Sequence, residues 1–172
     1  MGRWEPDFSW IAPDLAVGGS FPAGAAAILA REHAIGAVVD LRSEACDDQG
    51  ELAECGLRFL HLPTVDMSGV SAPMLDAGVA FASGARRDGL RLLIHCEHGI
   101  GRSATLALCV LVDRGEAPLD ALAQAKDGRG LVSPSRSQYE AWVDWISRNA
   151  PHLTAPTFHE FGMIAYRHLA LS

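Results

Sequence analysis

Residues 90–112 read LRLLIHCEHGIGRSATLALCVLV, and this stretch decides how the rest of the chain is interpreted. The apolar run 90–94 predicts a short buried strand, and the apolar run 103–112 predicts a buried helix. Two glycines lie in the turn between them, so the loop presents a row of backbone N–H groups at the positive end of the helix. A strand, loop and helix in this order are suited to binding an anion such as phosphate.

Cys96 opens this loop and Arg102 closes it, with five residues between them. A thiol that lies among N–H donors, beside a helix N-terminus and a guanidinium, is favoured as the nucleophilic thiolate. The planar fork of Arg102 matches two phosphate oxygens at once. The hydroxyl of Ser103 can donate a hydrogen bond to the sulfur. These residue types indicate covalent chemistry on a phosphate group.

The sequence His95-Cys96, five residues, Arg102-Ser103 resembles the signature loop of the cysteine-dependent protein tyrosine phosphatase superfamily, in particular its compact dual-specificity branch. The resemblance covers about residues 8–150. It implies a phosphomonoester hydrolase that forms a phosphocysteine intermediate on Cys96 and needs no metal or cofactor. It also implies that His95 hydrogen-bonds backbone beneath the loop. The residues expected to bind the phosphate are Glu97, His98, Gly99, Ile100, Gly101, Arg102 and Ser103.

Asp66 is the candidate general acid. A departing alkoxide or phenolate needs a proton, and a carboxylic acid on a nearby loop can supply it. Asp66 lies 30 residues before Cys96, between a predicted strand and a predicted helix. In the resembling family the acid sits on that loop at about that distance, so Asp66 is implied to act as acid and then as base. Asp76 is the competitor, but it falls inside the helix and is expected to face away. The alternative is that Asp66 is a loop aspartate with no chemistry.

Four other residues have more than one interpretation each from the sequence. Arg42 ends a predicted strand at the same edge, where it holds the acid's loop, contacts substrate, or lies at the surface. Gln138 either places a water molecule or only begins a helix. Arg129 and Arg136 either flank the mouth of the pocket or are solvated charges.

The composition predicts one globular domain over residues 1–172, with its core at about 8–150 and a C-terminal extension at 151–172. The formal net charge of −7 argues against nucleic acid as a partner. The expected partner is a phosphorylated protein or a small phosphomonoester, and the oligomeric state is left open. Apolar runs of about ten residues are too short for membrane insertion, so we expect a cytoplasmic protein.

The four cysteines, at positions 46, 55, 96 and 109, match neither zinc knuckles nor a disulfide scaffold. Cys109 is expected in the core, and Cys46 is a possible disulfide partner of Cys96 under oxidation. A metal site at His95, Cys96 and His98 is disfavoured because successive residues at a strand end point in opposite directions.

The order of predicted elements defines the fold class. Strands are predicted at 8–12, 15–19, 36–42, 57–62 and 90–94, and helices at 22–32, near 55, at 73–87, 103–112 and 118–127, from 133, and at 158–171. The alternation of strands and helices predicts a single α/β domain with a mostly parallel central sheet flanked by helices, as in tyrosine phosphatases. Ligands of such sheets bind at the carboxyl ends of the strands.

Two other functions remain open at this point. One is a phosphate-recognition module that binds phosphate but turns over poorly. The other is a rhodanese-like sulfurtransferase, which also uses a cysteine loop, although such loops are usually one residue shorter than that of residues 96–102.

Overall fold

A computed structural model describes residues 3–169, and its centre is a five-stranded sheet. The strands are β1 Phe8–Ala12, β2 Leu15–Gly18, β3 Ile35–Arg42, β4 Arg58–Thr64 and β5 Arg91–His95. Their order across the sheet is β1-β2-β5-β3-β4. Only the hairpin of β1 and β2 is antiparallel, and the other neighbouring pairs are parallel. The predicted mostly parallel α/β sheet is therefore confirmed.

Seven α-helices and a short 3₁₀ turn surround the sheet in the described part of the chain. They are α1 Ala26–Glu32, α2 Gln49–Glu54, α3 Ala72–Arg87, α4 Arg102–Asp113, α5 Pro118–Gly128, α6 Arg136–Asn149, α7 Phe158–Ala165 and the turn Arg167–Leu169. None of these helices has the length and apolar character needed to cross a bilayer. All of them correspond to helices predicted from the sequence.

Two helix boundaries differ from the prediction. The first helix was expected to begin at Pro22 but begins at Ala26, because Gly24 adopts a left-handed conformation (φ +88°) that interrupts the helix. The last helix was expected over 158–171 but ends at Ala165, where a 3₁₀ turn follows. The remainder of that prediction, residues 170–172, lies outside the described residues.

Helix α4 is the centre of the larger core. Every residue from Arg102 to Val112 is buried, and the helix packs against α3, α5, α6 and the sheet. The opposite face of the sheet is covered by α1 and α2 through a smaller cluster that includes Leu29 and Leu52. Because both faces are covered, β3 and β5 are apolar along most of their length rather than alternating.

The parallel strands bring the predicted site residues to one edge of the sheet. β3 ends at Arg42, β4 at Thr64 and β5 at His95, and Asp40 of β3 is in register with His95. The loops that follow these three strands therefore meet. They are the β3–α2 loop (43–48), the β4–α3 loop (65–71) and the signature loop (96–102).

The packing of α4 against α3 predicts a large loss of stability in Leu106→Ala. Leu106 is fully buried and fills the space left by Gly78, where an added Cβ would lie 2.6 Å from its Cδ1. Truncation leaves a cavity, so the free energy of unfolding in urea should fall by about 2–5 kcal/mol. Met163→Ala, at a side chain that is 66% exposed, should change it by less than about 0.5 kcal/mol. Equal losses in the two variants would contradict this packing.

Candidate active site

The β4–α3 loop, the signature loop and the start of α6 enclose a cavity of about 140 Å³. The signature loop contributes Cys96 and Arg102 to its lining, the β4–α3 loop contributes Asp66, and α6 contributes Gln138. The structure thus brings together four residues that the sequence had singled out separately.

Cys96 is buried at the floor of this cavity, with 3% of its surface exposed. Its Sγ lies 3.2 Å from Oγ of Ser103, the residue predicted to hydrogen-bond the sulfur. Its backbone N–H donates to the carbonyl of Gly18 at the end of β2. The candidate nucleophile Cys96 is therefore held in position by contacts of both its side chain and its backbone.

The peptide carbonyls of residues 96–101 are all engaged outside the cavity. The carbonyls of residues 97–100 accept hydrogen bonds of 2.8–3.0 Å. That of Cys96 faces Nδ1 of His95 at 3.2 Å, as predicted, and that of Gly101 accepts from the first turn of α4. The donors to residues 97–101 are Ser20, Arg129, Ser133 and Thr105. Because a trans peptide places N–H and C=O on opposite sides, outward carbonyls leave the following N–H groups for an anion in the cavity.

Arg129 makes two of these contacts, which corrects both sequence interpretations of this residue. It neither flanks the mouth nor points to solvent, but is 4% exposed and lies behind the signature loop. Its Nε donates to the carbonyl of Gly99 and its Nη2 to that of His98. Asp7 and Ser9 accept from the rest of the guanidinium and hold it in place. Arg136 is the solvated arginine of the pair.

Arg102 is also almost completely buried, and one end of its guanidinium is bound by protein. Nη1 and Nη2 donate to the two carboxylate oxygens of Glu44 at 2.8 Å each, and Nη1 also donates to the carbonyl of Thr64. Its Nε has no hydrogen-bond partner within residues 3–169 and lies 3.5 Å from Oδ1 of Asp66. The side chain is thereby held in one orientation with a donor left for the cavity.

Glu44 is a site residue that the sequence analysis did not single out. The guanidinium of Arg102 lowers the pKa of Glu44 to about 2, so the carboxylate is ionised at neutral pH. Its position two residues beyond the end of β3 was the available signal, because that edge of the sheet carries the site. The acidic run around it offered no basis for choosing one carboxylate.

A buried network of charges lies beneath the loop and corrects the interpretation of Arg42. This residue neither holds the β4–α3 loop nor lies at the surface, but donates to Asp40, Asp47 and Glu97. Burial alone would lower the pKa of Arg42, but these carboxylates outweigh it and raise the pKa. Asp47 also lies 2.6 Å from Nε2 of His95. The backbone contact of His95 was predicted, whereas this carboxylate partner was not.

The spacing of Asp40, Asp47 and His95 would also suit a metal ion, since their ligand atoms lie within 4.8 Å of one another. The Nη2 of Arg42 already lies 3.0–3.1 Å from an oxygen of each of the two aspartates. A metal ion here would be placed against this guanidinium, so the residues fit an internal ion pair better than a metal. The expectation of a metal-free protein stays a prediction.

Asp66, and not Asp76, belongs to the cavity. Its side chain is 65% exposed on the β4–α3 loop, and Oδ1 accepts from the backbone N–H of Met67. Asp76 lies on α3 and pairs with Arg148 of α6, so it faces away as expected. The structure therefore agrees with the preference for Asp66 on position, while its chemical role is a proposal.

Gln138 begins α6 and also lines the cavity. It forms a capping box with Ser135, which satisfies its Oε1, but its buried Nε2 has no hydrogen-bond partner in the described part of the chain. A Cβ added to Gly101 would lie 2.3 Å from Oε1 of Gln138. Gly101 must therefore be a glycine for the two residues to approach this closely. The two interpretations of Gln138 are therefore compatible, because the helix start itself places the amide in the site.

All four cysteines are free in this structure, and the disulfide of Cys46 with Cys96 under oxidation stays a prediction. Burial and the carboxylates of Asp40 and Asp47 raise the pKa of the Cys46 thiol, which disfavours its reactive thiolate. Cys109 lies in the core as expected.

The fold and the signature loop together are those of a cysteine-dependent phosphatase domain. A family model described as "Polymorphic toxin system, DSP-PTPase phosphatase" matches residues 19–116, more than half of the chain, and the chain belongs to this family. The match includes the whole signature loop and Asp66.

The proteins of similar sequence are also named as phosphatases. Human dual specificity protein phosphatase 2 is 36% identical over 83 residues, which are 46% of this chain and 26% of that protein. Mouse phosphatidylglycerophosphatase and protein-tyrosine phosphatase 1 is 33% identical over 97 residues, which are 55% of this chain and 50% of that protein. The chain thus matches between a quarter and a half of the length of these two relatives.

Solved structures confirm the fold over most of the chain. Tk-PTP in its active form superposes with a TM-score of 0.75 at 26% identity, covering 83% of this chain and 98% of that one. PTPMT1, solved in complex with PI(5)P, gives 0.78 at 22% identity, covering 84% and 97%. At 22% identity, the similarity to PTPMT1 shows a shared fold and nothing more.

The ion pair of Arg102 with Glu44 predicts a pH-dependent effect of Glu44→Gln on stability. The pKa of Glu44 is lower in the folded state (about 2) than the ordinary value of about 4.3 in an unfolded chain, so the stabilisation exists above about pH 4 and disappears as the pH falls through 2. Since Glu44 is 43% exposed, the variant should be less stable by only about 1 kcal/mol at pH 7.

Denaturant unfolding at pH 7 and at pH 2–3 measures this difference. Glu140→Gln is the matched control, since it removes an exposed ion pair within α6 and should cost no more than about 0.5 kcal/mol. A loss in Glu44→Gln that stays constant down to pH 2 would show that the ion pair is not its cause.

Proposed function

We propose that this chain is a phosphomonoester hydrolase that works through a phosphocysteine intermediate on Cys96. The observation that carries the proposal is a pair of buried donors without a hydrogen-bond partner among the described residues, Nε of Arg102 and Nε2 of Gln138, on side chains that line the same cavity as Cys96. Buried donors without a partner are costly, so a cavity that contains two of them favours an oxyanion as its occupant. The family supports the same reaction class.

In the first step the Cys96 thiolate attacks phosphorus, the S–P bond forms and the P–O bond to the leaving group breaks. Asp66 donates its proton to the leaving oxygen, a role its exposed position on the β4–α3 loop allows. The N–H groups of residues 97–102 and Nε of Arg102 face the charge on the equatorial oxygens. The fixed orientation of Arg102 means that these donors need little rearrangement.

In the second step water attacks the phosphocysteine, the S–P bond breaks and inorganic phosphate is released. Asp66, now ionised, accepts the proton of this water, and the free Nε2 of Gln138 is placed to orient it. The hydroxyl of Ser103 donates to the departing sulfur, 3.2 Å away, and makes it a better leaving group. Cys96, Arg102, Asp66 and Gln138, on which the two steps depend, line the same cavity, and this supports the proposal.

The two alternatives have less support. A binding module without turnover has no need of a nucleophile, an acid and a water-placing amide together. A sulfurtransferase would require a rhodanese-like relationship, whereas the family and the relatives found are phosphatases. Failure to transfer sulfur from thiosulfate would exclude the second alternative directly.

The substrate proposed is a phosphorylated protein or a small phosphomonoester, bound by a single domain with its core at about 8–150. A cytoplasmic, reducing setting, in which the thiol of Cys96 stays free, belongs to the same proposal.

Cys96→Ser should abolish turnover of p-nitrophenyl phosphate while retaining affinity for phosphate or tungstate. The hydroxyl stays protonated at neutral pH and is a poor nucleophile, but the loop donors are unchanged. Steady-state kinetics and calorimetric titration measure the two properties, and excess EDTA should leave the wild-type rate unchanged. Near wild-type turnover in a clean preparation of the variant would rule out the mechanism.

Asp66→Asn should slow the hydrolysis of alkyl phosphates more than that of nitrophenyl phosphates. A poor leaving group needs the proton that Asp66 supplies, worth roughly 10²–10⁴-fold, whereas nitrophenolate departs with little help. The kcat/KM values for a series of leaving groups measure this, and the basic limb of the pH profile should flatten in the variant. Asp76→Asn is the control and should behave as wild type, since Asp76 pairs with Arg148 on α6. Equal losses across the series would remove Asp66 from the reaction.

A further inference from the structure

Large apolar side chains are exposed around the cavity far more than elsewhere. In the described residues six such side chains are exposed, and four of them belong to the loops at the cavity mouth. We call these four the apolar collar. They are Val65, Met67, Ile100 and Leu131, with 64, 66, 37 and 54% of their surface exposed.

The members of the apolar collar lie on three segments that are tied together. Ile100 belongs to the signature loop, Val65 and Met67 to the β4–α3 loop, and Leu131 to the α5–α6 connection (129–135). The N–H of Ser133 donates to the carbonyl of Ile100, and the hydroxyl of Ser135 donates to that of Met67. The collar is therefore held in place by the same contacts that shape the site, and exposed apolar clusters of this kind mark binding surfaces.

Negative charge surrounds the collar, although the cavity is built for an anion. Three arginines brace or line the site, and all three are buried and bound to carboxylates. They are outnumbered by five carboxylates, namely Asp7, Asp40, Glu44, Asp47 and Glu97. Asp66 is not counted, because in the proposed mechanism it carries a proton when substrate binds. The side chains of Glu44 and Glu97 are 43 and 42% exposed.

No free cation balances these carboxylates at the mouth. Among residues 43–48, 65–71, 96–101 and 129–135 the only lysine or arginine is the buried Arg129. Arg136, which follows, pairs with Glu140 and stacks on Phe158 of α7. A ligand that brings its own positive charge would therefore be attracted, and one that brings a second phosphate would be repelled.

We propose that the apolar collar and its carboxylates form a docking surface for a phosphorylated peptide segment with an apolar residue next to the phosphorylated one and lysine or arginine further out. This rests on the proposed function, since the phosphate in the cavity is what anchors the segment. A phosphotyrosine suits this anchor because its ring contacts the collar while the phosphate reaches Arg102.

A lipid phosphate is the other occupant that apolar side chains could serve, and the charges argue against it. Lipid phosphates lie in a membrane surface that carries negative charge. The exposed carboxylates of Glu44 and Glu97 would face that surface. A free peptide can instead place basic side chains opposite them.

The first measurement is the binding of four phosphotyrosine peptides to Cys96→Ser, which holds substrate without turning it over. The peptides share one length and combine Leu or Ser beside the phosphotyrosine with Lys or Glu at the outer positions. We expect the Leu and Lys peptide to bind at least about tenfold more tightly than the Ser and Glu peptide, with the charge-dependent part lost in about 0.5 M salt. Equal affinities, or a preference for Glu, would overturn the proposal.

Two methionines with the same exposure make a matched pair of variants. Met67→Gln, at the collar, should lose most of the preference for Leu over Ser, by about three- to tenfold. Met163→Gln, on α7, should leave that preference unchanged. A similar loss in both variants, or in neither, would show that the collar does not contact the peptide.

Two wild-type assays separate the failure of this proposal from failure of the proposed function. Turnover of p-nitrophenyl phosphate tests the function, and its absence would refute the hydrolase while the peptide affinities still test the docking surface. Phosphatidylcholine vesicles that carry phosphatidic acid test the lipid alternative. Faster turnover of this lipid than of the Leu and Lys peptide would reject a peptide as the occupant.

Discussion

The site depends on a single constraint, that the carbonyls of residues 96–101 must all point away from one cavity. A short loop cannot turn six consecutive peptide groups in one sense unless each carbonyl finds a donor on its outer side. Here the donors come from β5, from the segment after β2, from α4 and from the α5–α6 connection. The anion site is thus built mainly from backbone, and the rest of the fold serves to hold that backbone.

The charged side chains around the signature loop also need partners within the protein. Arg42, Arg102 and Arg129 are buried, and each is bound to at least one carboxylate. Burial removes a guanidinium from water, so each of these arginines needs carboxylate or carbonyl partners within the protein. The number of carboxylates exceeds that of the arginines, which leaves an acidic surface around the candidate site. In the proposed function the anion is bound through oriented N–H groups and one guanidinium edge rather than through excess positive charge.

How much of this was predictable from the sequence depends on how local the determining interactions are. The strand, loop and helix around Cys96 follow from residues that are neighbours in the chain, and their boundaries were predicted to within a residue. Asp66 was singled out from its position on a loop between a predicted strand and a predicted helix, together with the resemblance to the family. Arg129 was misread because two glycines flank it and suggest an exposed turn, whereas its partners lie up to 122 positions away. Glu44 was missed because nothing in an acidic loop indicates which carboxylate meets Arg102 across the sheet edge.

The same long-range contacts have a consequence for folding. The signature loop is held by Asp7 through Arg129, and Glu44 lies 58 positions before Arg102, so β1, β3 and α5 must be in place before the loop has its final shape. Closing such distant contacts is slow relative to forming helices. During refolding, helical content should therefore return before the ability to bind phosphate. The return of phosphate binding therefore indicates that the whole fold has formed. A spectroscopic signal from α4 or α6 alone indicates only that this helix has formed.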